Sequence, residues 1–90
     1  MDFEWDEEKN QKNKRKHKIS FETASLVFRD ENRVEMYDDQ NSKINEDRYI
    51  TIGKVQKILF VVFTERMDNI RIISARVAEK REKEIYYGNS

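Results

Sequence analysis

Three arginines within the most apolar part of the chain are the residues whose type and spacing could do chemistry. Arg66, Arg71 and Arg76 lie in or at the ends of two runs, residues 58–64 and 70–75, which are rich in β-branched and aromatic side chains. A guanidinium is permanently charged, so in a strand it is costly unless it is paired or faces an anion. The pattern therefore predicts a sheet that presents cations to an anionic target.

The two apolar runs are separated by a short polar break at Asp68 and Asn69, which is typical of a β-hairpin. Electrostatics favours a three-residue loop in this hairpin, because that register places Glu65 opposite Arg71. Alternation along the strand then points Arg71 away from the other arginines. We therefore expect Arg71 to be a structural residue, paired with Glu65.

The same register places the other arginines on one face of the sheet. Arg66 shares that face with four residues of the second strand of the hairpin: Ile70, Ile72, Ser74 and Arg76. If the preceding strand pairs Arg48 near Val62, Glu46 and Arg48 join the same face. Arg66 and Arg76 would lie on the order of 20 Å apart. We therefore expect two clusters, Glu46 with Arg66 and Arg48 with Arg76.

A basic block near the start of the chain ends in Lys16 and His17, the latter being the one histidine of the sequence. Histidine can carry a proton or contact a phosphate, but a helix end also tolerates an exposed or structural histidine. Arg48, Arg66 and Arg76 have a similar alternative. Each could form a structural salt bridge with one of three carboxylates: Glu46, Glu79 or Glu82. Residue types alone leave both interpretations open.

Composition excludes several kinds of function. The 90 residues predict a single domain, residues 1–90, with a small core. The absence of cysteine and the single histidine exclude a thiolate zinc site and a multi-histidine metal centre, so we expect no cofactor. The 18 basic and 18 acidic residues argue against a globally cationic nucleic-acid binder. No apolar stretch approaches the roughly 20 residues of a membrane span, and no signal region is present, which predicts a cytoplasmic protein.

The absence of common enzyme motifs limits the possible reactions further. The sequence has no glycine-rich phosphate loop and no serine or cysteine nucleophile supported by a histidine. Arginines, carboxylates and one histidine suffice for metal-independent RNA cleavage, in which a neighbouring 2′-hydroxyl attacks the phosphate and cations stabilise the developing charge. That reaction needs no nucleophile from the protein.

Secondary-structure signals predict the order βααββββα. Residues 1–5 alternate as a first strand, and Asp6 caps a first helix over 7–16 that is poor in apolar residues and buries little beyond lysine stems and Asn13. Ser20 caps a second helix that extends through Phe28. Strands follow at 34–37 and 47–55, then the hairpin, and a last helix over 77–86 ends before Gly88. Helices around one antiparallel sheet make an α+β domain.

The chain resembles the BrnT toxins of bacterial type II toxin–antitoxin systems along nearly its whole length. The first half contains Phe3-Glu4-Trp5-Asp6, then Lys9, Asn13, Lys16-His17, Phe21-Glu22-x-Ala24 and Phe28-x-Asp30. The second half contains Glu46-x-Arg48-Tyr49-x-x-Ile52-Gly53, Val61-Val62-x-x-Glu65-Arg66 and Ile70-Arg71-Ile72-Ile73-Ser74-Ala75-Arg76, followed by Glu82 and Tyr86. The resemblance depends on the joint occurrence of three motifs: the FEWD start, the Lys-His pair and the IRIISAR tract.

The resemblance implies a RelE-like fold, with an antiparallel sheet of about four to five strands, two N-terminal helices and one C-terminal helix. It also implies a ribonuclease that halts translation and is neutralised by a ribbon-helix-helix antitoxin (BrnA-like), with operator DNA bound only through the antitoxin complex. The resemblance implies that Lys16 binds RNA. It implies a catalytic role for five further residues at family motif positions: His17, Glu46, Arg48, Arg66 and Arg76. One departure is the acidic loop at 38–42, where similar sequences often carry a histidine.

A second hypothesis is a noncatalytic interaction module, whose basic sheet face docks an acidic partner. It predicts a protein that binds its partner and leaves RNA intact.

Overall fold

The computed structural model describes residues 2–88. The elements, in chain order, are β1 (Asp2–Glu4), α1 (Glu7–His17), α2 (Phe21–Ser25), a 3-10 turn (Leu26–Arg29), β2 (Val34–Tyr37), β3 (Arg48–Val55), β4 (Lys57–Arg66), β5 (Asn69–Val77) and α3 (Lys80–Gly88). The five strands form one sheet in the order β1-β5-β4-β3-β2. The α+β class and the order βααββββα are confirmed. Met1, which we assigned to the first strand, lies outside the described residues.

One pair of strands differs from the antiparallel sheet that we expected. β2, β3, β4 and β5 pair antiparallel, but β1 lies parallel to β5, with Phe3 opposite Ile70. β1 is therefore an edge strand of the sheet and lies beside β5. This arrangement brings Glu4 opposite Arg71.

α1 forms where capping signals favour it and attaches to the sheet through polar side chains. The Asp6 carboxylate accepts the Glu8 N–H, and the helix ends at Lys18, which has a left-handed φ of 63°. Asn13, which is buried, donates from Nδ2 to the Ala75 carbonyl oxygen at 2.7 Å, while its Oδ1 accepts the Ala75 N–H at 3.2 Å. Asn13 thus makes the two backbone hydrogen bonds that a neighbouring strand would make.

Two helix boundaries differ from the sequence prediction. The second helix leaves α-geometry after Ser25, and the 3-10 turn that follows buries Val27 completely against β3. α3 begins at Lys80 rather than Val77, because Val77 still pairs with Leu59 in the sheet. The Ala78 N–H extends that pairing by donating to the Ile58 carbonyl oxygen at 2.8 Å.

The core lies on both faces of the sheet. Between the sheet and α1 and α2 lies a cluster of nine buried residues: Phe21, Ala24, Val27, Leu59, Val61, Phe63, Ile70, Ile72 and Ala75. A smaller cluster under α3 contains Ile52, Ile58, Ala78 and Tyr86. α3 therefore covers the end of the second face that lies around Ile52 and Ile58. Towards Thr64 the same face carries polar and charged side chains.

The hairpin register corrects our expectation for Arg71. Arg66 pairs with Asn69, which leaves a two-residue connection in which Met67 has a φ of 58°. Thr64, not Glu65, lies opposite Arg71, so the predicted Glu65–Arg71 pair is wrong. The electrostatic argument considered only the hairpin, whereas the carboxylate partner of Arg71 comes from Glu4 on β1.

A bulge in β5 changes which side chains share a face. Val62 pairs with Ser74 and Phe63 with Ile72, so Ile73 is the extra residue. Before the bulge, Ile70 and Ile72 point into the core under α1 and α2, opposite to our expectation that they accompany Arg66. Arg71 therefore points to the same face as Ser74 and Arg76.

Gly53 is required by the close approach of the 3-10 turn to β3. A Cβ at this position would lie 2.5 Å from Val27 Cγ1 and 3.3 Å from the Val27 carbonyl oxygen. Because Val27 is fully buried and β-branched, it has little freedom to move. We expect Gly53→Ala to lower the free energy of unfolding by about 1–3 kcal/mol, measured by urea denaturation.

Gly88 provides the matched control, because a Cβ there would meet nothing within 4 Å. A Gly53→Ala protein as stable as the Gly88→Ala protein would contradict the packing argument.

Candidate functional site

Four residues form a row across the sheet on the face that α1 and α2 do not cover. Arg48 on β3 pairs with Thr64 on β4, Thr64 with Arg71 on β5, and Arg71 with Glu4 on β1. Neighbouring strands are about 4.8 Å apart, so the backbones of Arg48 and Arg71 lie about 10 Å apart. We call the surface formed by Arg48, Arg66, Arg71 and Glu4, with the buried Thr64 beneath them, the arginine face.

At one side of the arginine face, the Glu4 carboxylate accepts hydrogen bonds from two residues and lies near a third. Its Oε2 lies 2.8 Å from Arg71 Nη1 and 3.9 Å from Arg66 Nη1, and its Oε1 accepts Asn69 Nδ2 at 3.3 Å. The hydrogen bond from Arg71, followed by that from Asn69, lowers the pKa of the Glu4 carboxyl. Glu4 is therefore an ionised acceptor at neutral pH.

At the other side of the arginine face, Arg48 is paired with Glu46. Arg48 Nε donates to Glu46 Oε1 at 2.9 Å, and this hydrogen bond lowers the pKa of the Glu46 carboxyl. Glu46 also lines a groove of about 350 Å³ with Thr64 and Arg66. Glu46 and Arg66, the expected cluster, thus line one groove, and Arg48 is joined to them through its ion pair with Glu46.

The loop before β3 fixes the backbone of Arg48. The Arg48 N–H donates to Ser42 Oγ at 2.9 Å, and the Arg48 carbonyl oxygen accepts the Asp38 N–H at 2.8 Å. Ser42 Oγ in turn donates to the Asp38 carbonyl oxygen at 2.7 Å. From the sequence, Asp38 and Ser42 are recognisable only as members of the acidic loop at 38–42. The Asp and Ser turn formers were the available signal, since their side chains commonly bond nearby backbone groups.

Arg76 lies apart from this cluster, so our expectation that it joins Arg48 is wrong. It pairs with Phe60, four residues along β4 from Thr64, or about 13 Å. Its guanidinium makes a bidentate pair with Glu82 at 2.7 and 2.8 Å and lies 4.1 Å from the Phe60 ring centroid. The Glu82 hydrogen bonds raise the pKa of Arg76, and those from Arg76 lower the pKa of Glu82.

The helix that carries Glu82 is anchored at its far end by Tyr86. Tyr86 OH donates to Asp30 Oδ2 at 2.6 Å, and this hydrogen bond raises the pKa of Tyr86 to about 12. Asp30 also accepts the Lys54 N–H at 2.8 Å, so it joins α3 to β3. From the sequence, Tyr86 is recognisable only as one of the residues of the BrnT resemblance. Its partner Asp30 lies 56 residues away in the chain, so no local pattern connected the two.

Lys16 and His17 form a third location, at the C-terminal end of α1. They line a groove of about 310 Å³ that also contains Lys9, Lys12 and the bulge residues Ile73 and Ser74. Ser74 lies on the same face of β5 as Arg71 and Arg76. The predicted site residues are therefore distributed over three places: the arginine face, the Arg76–Glu82 pair and this basic groove.

Between positions 2 and 88, no three His, Asp or Glu side chains are grouped so that they could hold a metal ion. The helices of this part of the chain are all too short or too polar to cross a membrane.

Comparison with known proteins agrees with the fold and the motifs. Residues 5–82 match the family described as "Ribonuclease toxin, BrnT, of type II toxin-antitoxin system". The crystal structure of the Brucella abortus ribonuclease toxin, BrnT, superposes with a TM-score of 0.67 at 25% sequence identity, covering 89% of this chain and 99% of that one. No curated protein matches the sequence. The chain therefore belongs to the BrnT family of ribonuclease toxins of type II toxin–antitoxin systems.

Proposed function

We propose that this chain is a metal-independent endoribonuclease that inhibits translation by cleaving RNA. The 2′-hydroxyl of the substrate attacks the adjacent phosphorus, the bond to the 5′-oxygen breaks, and the products carry a 2′,3′-cyclic phosphate and a 5′-hydroxyl. The reaction needs one group to take a proton, one to give a proton, and cations to stabilise the phosphorane. Family membership supports this function, and the arginine face supplies cations on a rigid sheet.

The observation that carries the proposal is the pairing of Arg48 with Glu46 beside Arg66. Arg48 and Arg66 bind the phosphate, and Glu46, whose lowered pKa keeps it ionised, can accept the 2′-hydroxyl proton. His17 is the other candidate for moving a proton, with Lys16 holding a neighbouring phosphate in the basic groove. Arg76 binds RNA further along the same face, once its pair with Glu82 opens.

The proposal extends to the partners of the chain. A type II toxin implies an antitoxin. We propose that the antitoxin is a ribbon-helix-helix protein (BrnA-like), that operator DNA is bound only through the complex, and that the toxin acts in the cytoplasm. Occupation of the arginine face by antitoxin carboxylates would block RNA.

The direct test is incubation of the purified chain with synthetic RNA in the presence of a metal chelator. We expect fragments with 2′,3′-cyclic phosphate ends, and we expect the same oligonucleotide with 2′-O-methyl riboses to remain intact because its nucleophile is blocked. Expression of the chain without an antitoxin should stop growth. Intact RNA across a range of pH and protein concentration would overturn the proposal.

One observation favours the second candidate, a noncatalytic docking module. Arg48, Arg71 and Arg76 each bind a carboxylate of the chain itself, so an acidic protein partner could offer the same ligand. In that case the purified chain would bind its partner and leave RNA intact.

A further inference from the structure

Glu4 lies where two guanidinium groups converge. The same carboxylate oxygen, Oε2, is 2.8 Å from Arg71 and 3.9 Å from Arg66, and Asn69 donates to the other oxygen. Two hydrogen-bond donors of the hairpin, Arg71 and Asn69, and the nearby guanidinium of Arg66 therefore surround one anion. A phosphate presents the same kind of acceptor oxygens to arginine as a carboxylate does.

This group of residues is accessible from solvent. The side chains of Glu4 and Arg71 are 33% and 30% exposed, and that of Arg66 is 57% exposed. A structural ion pair in a core would be shielded, whereas here an external anion can reach both guanidiniums. The energy gained from a partly exposed ion pair is also small, so exchange of one anion for another costs little.

The position of Arg71 in the sheet also suits contact with an RNA strand that is bound at Arg48. It lies in the same row as Arg48, with Thr64 between them, and Arg66 lies two residues beyond Thr64 on β4. An RNA strand bound at Arg48 can continue across the row to Arg71. The two arginines, about 10 Å apart, would then contact different phosphates of one strand.

We propose that Arg71 is a further phosphate-binding residue and that Glu4 occupies, in the free protein, the position of an RNA phosphate between Arg66 and Arg71. RNA binding displaces Glu4, which acts as a competitor within the chain. This inference rests on the proposed function, because it takes RNA as the ligand. It assigns Arg71 a role opposite to the structural one that the sequence predicts.

The test measures binding of a 2′-O-methyl RNA oligonucleotide, which cannot be cleaved, to the full chain and two variants. Glu4→Gln should tighten binding about threefold to tenfold, because the competing charge is removed. Arg71→Gln should weaken binding about tenfold and reduce the slope of log affinity against log salt by about 0.7. Glu84→Gln, which removes a carboxylate from an exposed position of α3, controls for net charge and should change affinity less than twofold.

Unchanged or weaker binding by Glu4→Gln would overturn the inference, because it would make Glu4 a support for Arg71 rather than a competitor. Thermal unfolding of each variant identifies loss of fold, and Arg71→Lys, which keeps the charge, should retain more affinity than Arg71→Gln.

Cleavage of unmodified RNA, measured in parallel, separates the two claims. If the unmodified chain cleaves RNA but the Glu4 and Arg71 variants bind RNA as tightly as it does, the inference alone is overturned. If no RNA is cleaved but the variants show the expected order of RNA affinities, the proposed function alone is overturned. Absence of any binding by the unmodified chain overturns both.

Discussion

Replacement of Arg48 by glutamine is expected to lower the rate of RNA cleavage by about 10²–10³-fold, the usual effect of removing one fixed donor to a developing oxyanion. The Arg48 side chain is only 19% exposed and is held by Glu46, and its backbone is fixed by Ser42 and Asp38. If RNA is cleaved at this site, a charge held in this way would stabilise the transition state without reorganisation. Single-turnover kinetics with saturating protein would measure the loss in the chemical step.

Arg81 offers a matched control for the same change of charge, because it is exposed on α3. Arg81→Gln should cleave within about twofold of the unmodified rate. Equal rates for the Arg48 and Arg81 variants would remove Arg48 from the catalytic group. A loss that appears only as weaker RNA binding would assign it to substrate binding.

Replacement of Asn13 by alanine is expected to cost about 2–5 kcal/mol of folding free energy. The change leaves the N–H and C=O of Ala75 unpaired in a buried position and also removes the donor to the Ile19 carbonyl oxygen at 2.9 Å. Each buried group without a partner costs about 1–3 kcal/mol. Urea denaturation monitored by Trp5 fluorescence would give the difference.

Lys14→Ala on the exposed side of the same helix should change stability by less than about 0.5 kcal/mol. Asn13→Asp should also be destabilising, because a carboxylate keeps the acceptor for the Ala75 N–H but loses both donors. Stability of the Asn13→Ala protein close to that of Lys14→Ala would show that water or a neighbouring group replaces the amide.

The order of elements could be predicted because the signals are local. Caps at Asp6 and Ser20 and the alternating runs of the hairpin depend on neighbours in sequence, and the structure confirms the strands and helices they indicate. The BrnT resemblance, confirmed by the family match, depended on several such motifs occurring together.

The partners of the arginines could not be predicted in the same way. The Glu4–Arg71 pair depends on where β1 joins the sheet, and the face of Arg71 depends on the two-residue connection of the hairpin. The bulge at Ile73 then brings Arg76 to that same face. A one-residue change of register moves every side chain to the opposite face, so an argument from charge within the hairpin could not replace knowledge of the third strand. The roles assigned to Lys16, His17 and Glu46 stay predictions.

The parallel pairing of β1 with β5 also makes completion of the arginine face depend on a nonlocal contact. Glu4 and Arg71 are 67 positions apart, whereas the β4–β5 hairpin is built from adjacent residues. Hairpins form within microseconds, but closing the ends of a chain is a slower, nonlocal step. On the ribosome, Glu4 is made early and has no Arg71 to bind until most of the chain has been synthesised. The arginine face is thus complete only after segments from both ends of the chain have been made and have met.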